Sequence, residues 1–419
     1  MQKKLLTLAV AGALGAPGLA LAQQSAEVYG TVNMSFGNVK WGSSSAGTPS
    51  LSKWDVAQHA SNWGVRGRES LGGGLTAWFQ IETNTPMERS NNVAITPASR
   101  NSAVGVQGDF GNVFMGQWTS PWADLDSLWA IGTVGGWGPV TSIIGRRETT
   151  GTAPNPNCAN DKSGGGPGTT TAGVGNAPCD AVEAGGGVGH PFWRRLSNAV
   201  FYQSPVINGL QAKVAYQTNE GRAISVGATS VTSNASLWSV SAQWTGMGGN
   251  ARVGFGYDRH SEFTSAARAD TGMTVKGGYN FGVIDLGLAW EQMTYRTAAG
   301  DCKGSNYGVA VAFPVATGAI RGSYSIAGDL NDPGCGAIGT AIAPAGSTVG
   351  DNGATELNIG YEHRFSKRTQ IGVGYATIRN DRAGAHNWTG LPPQQNGFSN
   401  APAAGSSIST WFVNMIHRF

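Results

Sequence analysis

The ionisable side chains of this 419-residue chain fall into two sets whose chemistry is electrostatic. One set lies in a single long stretch from Thr119 to Arg195: Asp124, Asp126 and Glu148, with Arg146 and Arg147 beside them and Arg194 and Arg195 at its return. The other is a scatter of cations, Arg66, Arg68, Arg100, Lys213, Arg252, Lys276 and Arg321, in or next to short alternating runs. Acids facing bases across water set up a transverse field that orders the water and biases ion passage, with no bond made or broken. Each charge also has a plainer account, as a solvated loop charge or a structural ion pair of small worth. Bond-making chemistry finds little. His59, His190, His260, His363, His386 and His417 are scattered, and no GxSxG elbow is present. A Ser/His/Asp triad is spatial, so it is improbable here rather than excluded. The triplets Gly164-Gly165-Gly166 and Gly185-Gly186-Gly187 lack the strand, Lys and helix of a phosphate loop. The four cysteines have neither CxxC spacing nor a nearby His, so neither metal nor cofactor is expected.

What positions these charges is a regular wall. Two strand-like runs, Val113–Trp118 and Leu196–Ser204, flank roughly 75 residues, where 2–6 usually join two strands. The stretch is rich in Gly, Pro and Ser, yet Trp122, Trp129, Trp137, Phe192 and Trp193 argue against disorder. It therefore belongs inside or over whatever the wall encloses.

From Ser25 onward, segments of about ten residues alternate apolar with small or polar, the weak signature of membrane-spanning strands. Val28, Gly30, Val32, Met34 and Phe36 share one face, and Ala251, Val253, Phe255 and Tyr257 another. Trp411, Val413, Met415, His417 and Phe419 close the series. Counting gives about sixteen strands, an even number as in single-chain barrels. Tight turns fall at Leu71–Gly74, Asp109–Asn112, Pro205–Gly209, Gly246–Asn250, Gly282–Val283, Pro314–Gly318 and Ser366–Arg368. Between them lie polar links at Asn38–Gln58, Asn84–Pro97, Thr119–Arg195, Asn219–Ala235, Ser261–Asp270, Arg296–Lys303, Ala327–Gly353 and Asn380–Ser407. Short and long alternate without exception, which sorts turns to one rim and loops to the other. Aromatics such as Trp63, Tyr216, Trp244, Tyr257, Trp290, Phe313 and Phe365 recur at strand ends, where interfacial girdles belong. The expected fold is all-β: a 16-stranded antiparallel transmembrane β-barrel with short periplasmic turns, long external loops and a long constriction loop after strand 5.

Alternation turns Arg66, Arg68, Lys213, Arg252, Lys276 and Arg321 away from the apolar face, hence inward, while Arg100 shares the parity of Val104 and needs a bulge or strand end to re-aim it. Residues 1–22 read as a signal peptide, with Lys3 and Lys4, an apolar run and Ala20-Leu21-Ala22 before Gln23, leaving 23–419 as the barrel with 119–195 its constriction loop. Charged residues make up only 13%, and no basic stripe marks a nucleic-acid face. In an oxidising compartment four cysteines predict two disulfides, with three connectivities open; Cys158–Cys179 and Cys302–Cys335 is favoured.

These residues resemble the general porins of Gram-negative β-proteobacteria. The match runs through Ala26-Glu27-Val28-Tyr29-Gly30, Asn62-Trp63-Gly64-Val65-Arg66-Gly67-Arg68-Glu69-Ser70-Leu71-Gly72-Gly73-Gly74-Leu75 and Gly108-Asp109-Phe110-Gly111. It continues in Asn198-Ala199-Val200-Phe201-Tyr202-Gln203-Ser204-Pro205, Tyr279-Asn280-Phe281-Gly282-Val283 and His417-Arg418-Phe419. The resemblance implies a homotrimer in the outer membrane, in contact with lipid and lipopolysaccharide. It implies passive passage of ions and small hydrophilic solutes, a loop that narrows the lumen, Arg100 at that narrowing and Phe419 as barrel-assembly signal. Asn62 stands where the family usually has Arg, Ser70 where it usually has Asp, and the loop is longer than usual. Inward bases outnumber the inward acids Glu27, Glu82, Asp258 and Glu362, which leans towards anions. The segment Asn84–Pro97 is a candidate latch to a neighbour. Two other readings stay open: a non-conducting barrel displaying its loops, and a substrate-selective channel using Trp118, Trp122, Trp129 and Trp137 for stacking.

Overall fold

The structure is a computed structural model and describes residues 25–44, 47, 49–85, 87, 97–138, 143–144, 192–218, 236–265, 268–297, 300–330, 332, 335, 350–384, 386–388 and 404–419. Residues 1–22, expected to be a signal peptide, lie outside the described residues.

The alternating runs form strands β1 (Ser25–Trp41), β2a (Leu51–Gln58), β2b (Asn62–Gly72), β3 (Leu75–Asn84), β4 (Ser102–Gly108) and β5 (Gly111–Thr119). A short helix, α1 (Pro121–Asp124), and a 3-10 turn, Leu125–Leu128, follow. Then come β6 (Arg195–Gln203), β7 (Leu210–Gln217), β8 (Ser236–Gly246), β9 (Ala251–Ser265), β10 (Arg268–Asn280) and β11 (Asp285–Thr297). The chain ends with β12 (Gly300–Val315), β13 (Gly318–Ala327), β14 (Ala354–Arg364), β15 (Thr369–Asn380) and β16 (Ser407–Arg418).

Every sequential pair is antiparallel, and β1 also pairs with β16 from Thr31↔Arg418 to Trp41↔Ile408, so the sheet closes. β1 pairs with β2b at one end and β2a at the other; these are one strand interrupted at 59–61, where Ala60 has a φ of 52°. Counted so, the barrel has sixteen strands.

Three of the expected long links are shorter. β1 runs on to Trp41 and β2a begins at Leu51, while only 266–267 separate β9 from β10 and only 298–299 separate β11 from β12. Polar residues there continue the alternation as hairpins: Trp54 and Val56 point out, and Lys53 pairs with Asp55 at 3.7 Å on the other face. Charge density in these stretches imitates a loop.

Val253, Phe255, Met273, Val275, Leu288 and Val309 are exposed on the outer face. Rings bound that apolar band on both sides, Tyr216 against Trp238 (4.6 Å) and Tyr375 against Trp411 (4.7 Å) towards the long loops, Tyr279 against Phe281 (4.5 Å) at the tight turns. Rings of this kind hold a barrel at the two membrane interfaces. Gly72, Gly73 and Gly74 have φ of 81°, 60° and 81°, a succession that side chains resist, which fixes this tight turn. The chain end completes the wall, with the Phe419 and Gly30 backbones exchanging hydrogen bonds of 3.1 and 3.2 Å.

Much of the buried apolar surface lies between this wall and the segment after β5. One group joins Trp129, Val134, Trp137, Ile143 and Ile144 to Val39, Trp388 and Phe412. Another joins Trp122 and Phe192 to Met293, Tyr295, Leu330 and the disulfide Cys302–Cys335. Cys158 and Cys179 lie outside the described residues.

Candidate functional site

Ser120 accepts a hydrogen bond from the Ala123 amide (3.2 Å) and Pro121 opens the first turn, so α1 starts where the chain leaves β5. From there the segment runs along the inner wall. The Trp122 amide donates to Ser239 of β8 (3.2 Å), and Asp124 pairs with Lys213 of β7 (3.3 Å). Asp126 pairs with Lys276 of β10 (2.6 Å), whose ammonium also lies 2.9 Å from Glu291 of β11. Arg252 of β9 donates to the Leu128 carbonyl (2.6 Å) and pairs with Asp285 (2.7 Å). Arg321 of β13 donates to the Ile131 carbonyl and pairs with Glu362 (2.9 Å). Asn33 of β1 donates to the Gly135 carbonyl (2.5 Å), Asn358 of β14 to the Trp137 carbonyl, and the Trp137 ring meets His59 at 4.7 Å. The segment is an inner collar that reaches from β7 round to β1 and β2.

Close approach requires a wall without side chains at the contacts. A Cβ on Gly287 would lie 2.1 Å from the Trp129 carbonyl oxygen, and one on Gly308 2.7 Å from the Trp129 ring. The four inward cations predicted from parity on β7, β9, β10 and β13 are thus present on that face, where each holds the collar. Burial raises the Asp124 carboxyl above its ordinary value, and the Lys213 ammonium opposes that shift.

Trp122, Trp129 and Trp137 are 0–2% exposed, packed between collar and wall. Their expected use for solute stacking is corrected: no indole face is left free, because these rings are what seats the segment. Trp118 packs edge-on against Trp78 (5.7 Å) and Phe114 (5.4 Å).

The ion pairs and hydrogen bonds of 121–137 described above run to β1 and to β7 and the strands after it, and a second charged group lies on β2b, β3 and the approach to β4. Arg66 pairs with Glu27 and lies 4.7 Å from the Tyr29 ring, while the Tyr29 hydroxyl donates to Glu82 (2.9 Å). Arg100 precedes β4 in a bend, which releases it from the strand's parity, and it pairs with Glu82 (2.6 Å) while donating to Asn84 (3.1 Å). Arg68 is exposed and has no ion-pair partner among the described residues. Arg195 opens β6 and donates to Asn101 (3.0 Å), and Arg194 is buried beside it. Arg146, Arg147 and Glu148 lie outside the described residues, as does most of the proposed latch.

Sequence reasoning missed the inward acids Asp285, Glu291 and Glu356, so among the described residues the excess of inward bases is smaller than the parity reading gave. It also missed the amides Asn33, Asn306, Asn358 and Asn414. Their inward parity was available; the carbonyl partners of Asn33, Asn306 and Asn358 at Gly135, Ile143 and Trp137 were not, nor the bond from Asn414 to Asn33.

Comparisons with known proteins agree with this geometry. The family model described as Gram-negative porin matches residues 7–383. Outer membrane porin protein 32 of Delftia acidovorans is 25% identical over 432 residues, covering 100% of both chains. The structure titled as an anion-selective porin from Comamonas acidovorans superposes with a TM-score of 0.68 at 22% identity, covering 94% of this chain and 100% of that one. The trimer form of OmpT from Vibrio cholerae gives 0.55 at 12% identity, covering 94% and 99%.

Proposed function

This chain belongs to the Gram-negative porin family, an outer-membrane channel for passive diffusion, and from that premise we propose that the passage between its collar and β2b–β4 carries small hydrophilic solutes with a weak preference for anions. The observation that carries this is the charge of the wall formed by β2b, β3 and the approach to β4. Arg66, Arg68 and Arg100 face only Glu27 and Glu82 there, and Arg68 has no acid within ion-pair reach among the described residues. One cation in excess at a narrow wet passage raises the local concentration of anions. The relative titled as an anion-selective porin supports the same sign. Likeness to the trimer form of OmpT supports a homotrimer, and the aromatic rims support contact with outer-membrane lipid and lipopolysaccharide. The channel is read as non-catalytic: Ser35 and His59 approach to 2.8 Å, but both are buried, and the Trp137 ring packs against His59.

Reversal potentials in planar bilayers under a salt gradient test the sign. Exchanging Arg66 and Arg68 for Glu should move the preference towards cations; an unchanged preference would remove both from the selective site.

A further inference from the structure

Towards the tight-turn rim, on the lumen side of β3 to β7, Thr76, Gln107, Asn112, Gln203 and Gln211 converge on one hollow. Gly74, Gly108, Gly111 and Ser204 complete its lining, and its volume is about 430 Å³, within the range of small-molecule sites. Gln211 is two residues from Lys213 on the same face of β7, so the hollow lies just past the Asp124–Lys213 pair on the way to the turns. A solute that clears the collar meets it next.

No charged residue lines the hollow. An anion moving into it would lose water with no cation to replace it, which is unfavourable. A carboxamide offers two donors and an acceptor, so a ring of them exchanges hydrogen bonds with hydroxyl groups of either sense. Two positions are pre-aimed: Gln211 donates to the Ser204 carbonyl (3.2 Å) and accepts from Gln243 (3.4 Å), and Asn112 accepts from the Trp78 indole (2.8 Å). The Gln107 and Gln203 carboxamides have no side-chain hydrogen bond among the described residues, which leaves their full capacity for a ligand.

We propose that this hollow is a weak binding subsite for neutral polyhydroxylated solutes, sugars above all, at the exit of the channel. Hydrogen bonds exchanged with water yield little net free energy, so occupancy is brief, as a conducting channel requires. The inference rests on the channel reading and adds a solute class that the anion preference does not imply.

The test uses the full-length protein in planar bilayers with raffinose as probe and a polyethylene glycol of equal hydrodynamic size as control. Raffinose added on the turn side should interrupt the ionic current more often than the glycol does. Gln107→Ala and Gln203→Ala, each referred to its own current in salt, should each lower that excess about threefold to tenfold. Equal interruptions by raffinose and glycol, or an excess that both variants retain, would overturn the subsite alone. A protein giving no ionic steps would overturn the channel premise and the subsite with it.

Discussion

Asp126 and Lys276 meet at 2.6 Å although 150 positions separate them in the chain. Lys276 is fully buried and holds Glu291 as well. Replacing it with Met leaves two carboxylates facing one another with no counter-charge, a loss of about 3–5 kcal/mol for a buried pair broken on one side. Lys276→Met should therefore lower the temperature at which the barrel unfolds in detergent and raise open-channel noise as the collar loosens. A variant as heat-resistant and as quiet as the parent would contradict the clamp.

Gly287→Ala places a methyl group where the Trp129 carbonyl lies, whereas at Gly322 the first atom met is 3.4 Å away. Overpacking of this kind typically costs about 1–3 kcal/mol. Single-channel recordings should show flicker or altered conductance for Gly287→Ala and little change for Gly322→Ala. Identical traces from the two would show that the collar does not ride on the wall.

The Cys302–Cys335 bridge spans 33 residues. Removing it as Cys302→Ser/Cys335→Ser frees that loop in the unfolded chain, worth roughly 3–4 kcal/mol on the chain-entropy account. Denaturant unfolding without reductant should show the loss, and adding reductant to the parent should bring the two curves together. Curves that coincide without reductant would mean the bridge contributes nothing to stability.

Where the barrel closes, Gly30 gives its space to a ring: a Cβ there would lie 2.4 Å from Phe419 Cζ. Gly30→Val and Phe419→Ala should each reduce the folded fraction recovered in lipid vesicles, measured by heat-modifiable migration. Full recovery in both variants would place the final contact outside the folding reaction.

The wall was legible because its code is local. Val253, Phe255 and Tyr257 alternate with Arg252, Gly254 and Gly256, and that parity alone says which side meets lipid and which meets water. The same parity put Lys213, Arg252, Lys276 and Arg321 inside. It gave no partner for any of them, since the path of 121–137 depends on contacts with strands over a hundred residues away. One signal was there to be used: Gly287 and Gly308 occupy inward positions in otherwise ordinary strands, which marks a close approach. The strand β2a was missed because Lys53 and Asp55 mimic loop composition while Trp54 and Val56 keep the alternation.

Because the collar runs along the inner wall from β7 and β8 round to β1, its length follows the part of the circumference it lines. The Trp137 indole reaches His59 only after passing every stave from β7 round to β1, so a cylinder closed with one stave missing would leave the segment too long and its carbonyls off register with Asn33, Arg252 and Arg321. The inserted segment is in this sense a gauge: it seats fully in a sixteen-membered ring, and a miscounted ring would forfeit its anchoring.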